Sequence, residues 1–519
     1  MISERMKSLA SEKALSFVGH RRSSSTFYAE RRTMIKRTLA VWSVLVAGSS
    51  HAQTSAFSMG VADSDPGHVL ALADASAVIQ QNGSLTLQVR LNGKSLPLAA
   101  KVCASNPALQ GGKLGKDGRF TLIASKFKSS ASTVWISANT SCQSQQHALA
   151  RLTLHAEGSL KLRYSLPKRA AASSSDSPAP VIAPDGSVYG TTDGTVYAYA
   201  QGGKPKWQVE TGDGAKVGFA PQVGPDGQVY YASSTHVFAF DAATGQQRWK
   251  TDFADANNLF IRADGTLYLT ARSGLYALDK TTGKTSWTFS TDKNDDIDSK
   301  IYFSAAGEVY ILDTLADQIK IFSSVDGSVK ASLPSGGSKL SIVNVGTDGA
   351  IYLVSDNTGS GSLSVYALDP LGGAVKWNHD FKTDIRDVAL GKDGAAYIAQ
   401  STTEHACCAD SAGGSTDGSV SLLDTGAGRL KWTYKTGYLN THHLLLGSDD
   451  TLYLSADNSG QDSSILALNA LSGKLKWKAA ASPTSSLVCL GTDGTLYAFD
   501  PDTWSVQALY SLSRGPSTR

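Results

Sequence analysis

The chain has 519 residues, 41% of them hydrophobic, with 49 Gly and only 18% charged residues. That length exceeds one ordinary core, and the composition suits an all-β globular protein with more than one folded unit. No run of 18 apolar residues is present, which excludes a helical membrane span in the mature chain, and the formal net charge of +3 is too small to mark a nucleic-acid binder.

The segment from Met34 to Ala52 has a basic start, an apolar run and a small-x-small end at Ser50-His51-Ala52, the pattern of an export signal cleaved near Gln53. Upstream, Arg31-Arg32-Thr33-Met34-Ile35-Lys36 is close to a twin-arginine pattern, with Glu30 where Ser or Thr is usual. General secretion from Met34 and twin-arginine export both lead to a periplasmic or secreted product. Residues 1–52 hold nine Lys/Arg and three Asp/Glu, so their removal leaves 39 basic against 42 acidic residues, a net charge of −3. The basic surplus is discarded with the signal, and nucleic acid drops out as a partner. No Cys follows the signal to take a lipid anchor.

Residues 53–157 alternate apolar and polar positions around Leu85 to Leu91, Phe120 to Ala124, Val134 to Ala138 and Ala150 to His155, which predicts a small β-sandwich-like domain. Cys103 and Cys142 can form a disulfide there in an oxidising compartment, the alternative being two buried thiols. Trp135 is the one aromatic that suggests carbohydrate binding by this domain, although a lone strand Trp is usually core.

Beyond Pro180 a period near 40 residues dominates, which indicates propeller blades or another repeat array. Asp-Gly followed by a strand with Tyr recurs at Asp185 to Tyr189, Asp226 to Tyr230, Asp264 to Tyr268, Asp348 to Tyr352, Asp393 to Tyr397 and Asp493 to Tyr497, with variants at Gly307 to Tyr310 and Asp450 to Tyr453. Asp-Gly accepts the positive φ of a tight hairpin turn, so eight hairpins are expected. The second half of the unit carries a Gly turn and then a Trp: Gly203 to Trp207, Gly245 to Trp249, Gly283 to Trp287, Gly373 to Trp377, Gly428 to Trp432 and Gly473 to Trp477.

Units such as Ala239-Phe240-Asp241-Ala242-Ala243-Thr244-Gly245-Gln246-Gln247-Arg248-Trp249 resemble the tryptophan-docking repeat of the PQQ-like propellers, the repeat of quinoprotein alcohol dehydrogenases. The resemblance covers roughly residues 158–512 and implies an all-β, eight-bladed propeller in which Trp207, Trp249, Trp287, Trp377, Trp432 and Trp477 pack between blades. Seven blades are the alternative count. The last unit lacks an outer strand, and residues 158–166, resembling the outer strand after Gly473, are expected to close the ring and remove its exposed edges. Residues 513–519 form a tail. A more distant resemblance is to propellers of the BamB type, involved in outer-membrane assembly, which implies a protein or envelope-polymer partner.

Candidate chemistry is sparse. Blades five to seven carry the insertions, Asp356 to Ser362, Ser401 to Gly418 and Asp457 to Ser464, and long loops on a rigid scaffold are where binding is commonly placed. The adjacent pair Cys407-Cys408 resembles the vicinal disulfide of quinoprotein dehydrogenases in type but not in blade. A strained structural disulfide, two exposed thiols, and metal binding with Glu404, His405 and His442 or His443 are the readings left open. Asp292, Asn294 and Asp296 offer oxygen ligands at alternate positions for Ca²⁺, but Ile297 stands where a turn Gly is needed, and a solvated acidic loop is the alternative. Neither a Cys-x-x-Cys-His haem site nor a Gly-x-Ser-x-Gly elbow is present. The resemblance also implies an alternative activity, a PQQ- and calcium-dependent oxidoreductase. Its cofactor would need an aromatic floor, yet every propeller Trp except Trp504 is taken by the docking repeat. The expectation is therefore a binding protein without a cofactor.

Overall fold

The computed structural model describes residues 148–166 and 178–512 apart from short connecting loops, the longest being 291–299 and 402–416, together with separate stretches between 42 and 142. Eight four-stranded antiparallel sheets follow one another in the chain, each ordered from an inner to an outer strand. The first seven occupy residues 181–210, 222–252, 256–290, 302–334, 340–381, 384–435 and 440–481. The eighth is composite: Ser486–Leu490, Thr495–Asp500 and Ser505–Tyr510 are completed by Leu160–Ser165, which pairs antiparallel with Ser505–Tyr510. Eight blades are present, and the first and last parts of the repeat region share one sheet.

The strands divide by burial in a way the radial arrangement dictates. Second strands are covered on both faces by neighbouring blades, so Leu267–Ala271 and Ala396–Ser401 are buried at every position. Outer strands face solvent on one side and alternate, as in Pro205–Glu210 and Leu430–Lys435. Each apolar core lies between two blades rather than within one. Tyr189 and Val196 of blade one, for example, pack with Val229, Tyr231 and Phe238 of blade two. Positive φ at Gly186, Gly227 and Gly494 makes the Asp-Gly turns, and in blade seven Asp450 takes that conformation at φ 55°.

Before the propeller, two sheets form. One orders Ser55–Met59, Trp42–Ala47, Ser84–Leu91, Arg119–Ala124 and Leu109–Gly111; the other orders Ser76–Ile79, Ala148–Ala156, Ser132–Ser137 and Lys101–Ala104. The apolar run of the expected export signal thus contributes a strand here, paired with Ser84–Leu91. Cys103 and Cys142 are joined by a disulfide. Trp135 is 6% exposed in this domain's core, so its ring is not available to stack on a sugar. The strand Ala148–Ala156 leads through Gly158 directly into the closing strand, and His155 stacks on Tyr510 of blade eight at 4.0 Å. Among the described residues no helix is long and apolar enough to cross a membrane.

Candidate binding face

The six docking tryptophans sit at blade joints. Trp207 of blade one lies over the turn glycine of blade two, where a Cβ on Gly245 would come within 2.6 Å of the indole, and its Nε1–H donates to Ala242 O at 3.0 Å. Trp249 repeats this on Gly283 and Lys280 O, Trp287 on Gly327 and Ser324 O, and Trp432 on Gly473 and Ala470 O. Trp377 covers Gly428, and Trp477 covers Gly158 of the closing segment. Two joints depart from the pattern. In blade four Ala331 stands opposite Ile321, where six of the outer strands put Trp, and Leu333 covers Gly373 instead. In blade eight the corresponding residue is Leu162, opposite Ala508, and Tyr164 covers Gly203. The two exceptional joints lie across the ring from each other.

Because strands alternate in direction, the loops between second and third strands and the blade-to-blade connections share one face. On it, the insertion of blade six leaves from Ser401 and returns at Gly418, and both ends are tied to the connection into blade seven. Thr436 donates from both its N–H and its Oγ1 to Gly418 O at 2.9 Å. Thr441 N–H donates to Ser401 Oγ at 3.2 Å, and Tyr438 OH and Ser464 Oγ lie 2.6 Å apart. Leu439 N–H donates to Asn458 Oδ1 at 3.0 Å, which ties in the insertion of blade seven. Gly418 is required by this approach, since a Cβ there would meet the carbonyl oxygens of Tyr438 and Leu439 at 2.9 Å. Gln400, Ser401, Thr436 and Thr441 are all buried, and each has a hydrogen-bond partner.

At the inner end of blade seven, His442 Nε2 contacts Asp457 Oδ2 at 2.6 Å while its Nδ1 faces Nδ1 of His443. Desolvation and the neighbouring His442 charge push the His443 imidazole down, against the pull of Asp387 and Asp457. On the same face of blade two, Asp213 accepts from Ser233 Oγ and contacts His236 Nδ1 at 2.7 Å. Burial works against the Asp213 charge, yet these hydrogen bonds hold its carboxyl below the usual range. The Ser233 hydroxyl is directed to Asp213 and to the His236 backbone rather than to the His236 imidazole, so this trio staples a loop and does not have the geometry of an activated nucleophile. Cys489 on the inner strand of blade eight is a free thiol that burial pushes up to about 12, well away from reactive thiolate behaviour.

Asp292, Asn294, Asp296, Cys407 and Cys408 lie outside the described residues. Among the described residues no group of three or more His, Cys, Asp or Glu is arranged to hold a metal ion. Among the described residues the joint tryptophans lie against the turns of neighbouring blades, and Trp504, 4% exposed, packs edge-on against Phe499 at 5.0 Å.

The chain matches the PQQ-repeat family described as outer membrane protein assembly factor BamB over residues 40–289, 192–360 and 361–516. It belongs to that family. Among solved structures it is similar to BamB from Moraxella catarrhalis, at 15% identity and TM-score 0.43, covering 68% of this chain and 99% of that one. Hydrazine synthase of Kuenenia stuttgartiensis is 17% identical at TM-score 0.42, covering 56% and 95%. The dihydro-heme d1 dehydrogenase NirN is 14% identical at TM-score 0.44, covering 68% and 79%. No curated protein matches the chain. The family membership rests on the repeat match and on the docked Trp-Gly joints, which these distant structures do not extend.

Proposed function

We propose that this chain is an exported, non-catalytic binding scaffold that holds a protein, peptide or envelope polymer on the loop face of blades five to seven. The observation that carries this reading is the buried polar base at Ser401, Gly418, Thr436 and Thr441, which fixes both roots of the blade-six insertion by hydrogen bonds, with Leu439 N–H on Asn458 Oδ1 tying in the insertion of blade seven. A loop whose ends are held in this way presents its residues from a rigid platform, the arrangement by which scaffolds recognise partners. The family's own description, an assembly factor of the outer membrane, supports a protein partner in the cell envelope. The joint tryptophans are engaged in blade cohesion, which supports a reading in which these six do not serve as a floor for a quinone.

The reading is tested by placing a photo-crosslinking amino acid at Asp462, exposed at the root of the blade-seven insertion, and at Asp226, exposed on the opposite face. Discrete adducts from Asp462 and none from Asp226 are expected in the native envelope. Adducts from Asp226 alone would overturn the assignment of the face. Dye reduction by the purified protein that depends on added quinone and Ca²⁺ would overturn the non-catalytic reading.

A further inference from the structure

The inner strand of blade seven, Asn440–Leu446, is interrupted by a register shift between His442 and Leu445. Blades three and six carry a similar shift, and there Asn258 and Asp387 each accept the next residue's N–H on their own Oδ1, at 2.9 and 2.8 Å. Blade seven has His443 in this stretch, with a left-handed φ of 53°, and the N–H of Leu444 goes instead to Asp387 Oδ2 of blade six at 2.7 Å. That backbone conformation is unfavourable for a residue with a Cβ and persists only where its surroundings hold it. The neighbouring ring holds it here: Nδ1 of His443 lies 2.5 Å from Nδ1 of His442, whose Nε2 is committed to Asp457 Oδ2 at 2.6 Å. Asp457 is the buried first residue of the blade-seven insertion and accepts from Asn440 Nδ2 at 3.0 Å on its other oxygen. The next residue, Asn458, takes the N–H of Leu439. The two rings therefore stand at the root of that insertion.

We propose that His442 and His443 form an acid-opened latch on the root of the blade-seven insertion. Its bearing on partner binding rests on the assignment of this face to the partner. Two ring nitrogens can share a contact only while one proton lies between them. With its Nε2–H given to Asp457, His442 accepts on Nδ1 from the Nδ1–H of His443. One added proton goes to the far nitrogen of His443 and leaves this bond in place. A second makes both rings imidazolium, so two N–H groups and two like charges oppose each other and the contact is lost. His443 can then leave the left-handed conformation, and Leu444 N–H can leave Asp387. The charges that bear on His443 are His442, Asp387 on the inner strand of blade six and Asp457 on the second strand of its own blade. Arg386 of that blade-six strand pairs with Asp384 at 3.3 Å. The second strand of blade six and the inner strand of blade eight bring Tyr397 and Cys489, both pushed up to about 12 by burial and so neutral. Burial and the His442 charge outweigh the two carboxylates and hold the His443 imidazole below its ordinary value. The stability gained from the latch is therefore present above the ordinary imidazole value and lost as pH falls through the lowered one.

The test is amide hydrogen exchange of the full chain at pH 7.5 and pH 5, expressed as protection relative to an unstructured peptide at the same pH. Protection across residues 438–460 should fall at least about tenfold at the lower pH, while residues 267–278 of blade three, which contain no acid or His, should change less than about twofold. His443→Asn keeps a residue that tolerates the left-handed backbone and removes the titrating ring, so its protection should not depend on pH. Unchanged protection in the wild type, or the same fall in His443→Asn, overturns the latch. Histidine-ring ¹⁵N shifts of the wild type need no variant: two coupled steps are expected, the second below the ordinary imidazole range, and two independent steps overturn the shared proton. Protection at pH 7.5 that a chelator abolishes and Zn²⁺ restores would put a metal ion in place of the proton. Photo-crosslinks from Asp462 should be fewer at pH 5 in the wild type and equal at both pH values in His443→Asn. Equal yields in the wild type would overturn the control of partner binding. No adducts at either pH, with exchange as expected, would count against the binding face and leave the latch standing.

Discussion

Trp207 lies against Gly245 so closely that the glycine has no room for a methyl group, and the same indole donates to Ala242 O three residues earlier in that turn. Blade cohesion is therefore a two-residue device, one residue on each side of the joint. Gly245→Ala is expected to cost about 1–2 kcal/mol for the left-handed backbone at φ 73° and about 1–3 kcal/mol more for overpacking the indole. Gly373→Ala, at φ 68° but facing only Leu333 at 3.3 Å, should cost little beyond the backbone part. Urea unfolding midpoints of the two variants check this. Equal losses would show that the indole contact is not the restraint.

Removing the indole should cost more than removing its exceptional counterpart. Trp207→Ala leaves a cavity at a joint and a lost hydrogen bond, about 3–5 kcal/mol. Leu333→Ala at the joint of blades four and five should cost about 2–4 kcal/mol. Hydrogen exchange should accordingly show blades four and five separating before blades one and two in the wild-type protein.

Glu157 is buried where the small domain passes into the propeller, and its carboxylate accepts from Leu512 N–H at 3.3 Å. Burial raises its pKa, with Lys476 pulling the other way. For a carboxyl raised in the folded state, the stability it contributes is present in full below the ordinary value near 4.5 and is lost as pH rises through the raised value. Thermal unfolding followed from pH 4 upward should show this decline, and Glu157→Gln should flatten it while folding at least as stably at pH 8. A steeper decline in the variant would contradict the sign.

The disulfide Cys103–Cys142 spans 39 residues, and in the chain-entropy account a loop of that size stabilises by roughly 4 kcal/mol. Reduction should destabilise the small domain and leave the propeller's calorimetric transition in place. Loss of both together would make the two a single cooperative unit. Intact-mass measurement of the exported protein is expected to place its first residue at Gln53, which would also show that the strand Trp42–Ala47 is absent from the mature chain.

The repeat was legible because Asp-Gly and Gly-to-Trp spacings encode a turn and a joint locally, each within a few residues. The joint of blades four and five was not, since Ala331 removes the marker and Leu333 covers the glycine from a position that carries no signature. Tyr164 was hidden for the same reason. Of the candidate face, the insertions themselves were readable as departures from the period. Their anchoring by Thr436 and Thr441 was not, because it depends on contacts between blades that no local spacing records.

Pairing of Leu160–Ser165 with Ser505–Tyr510 has a consequence for how the molecule is made. The strand that completes the last blade is synthesised before the first blade, and it must wait through the whole repeat region for its partner. Every shortened or stalled chain that ends before Tyr510 carries two unpaired sheet edges and an unfilled seat over Gly203, features that proteases and holding chaperones recognise. Closure thus acts as a check on full-length synthesis: only a chain read to its final strand can hide both of its ends.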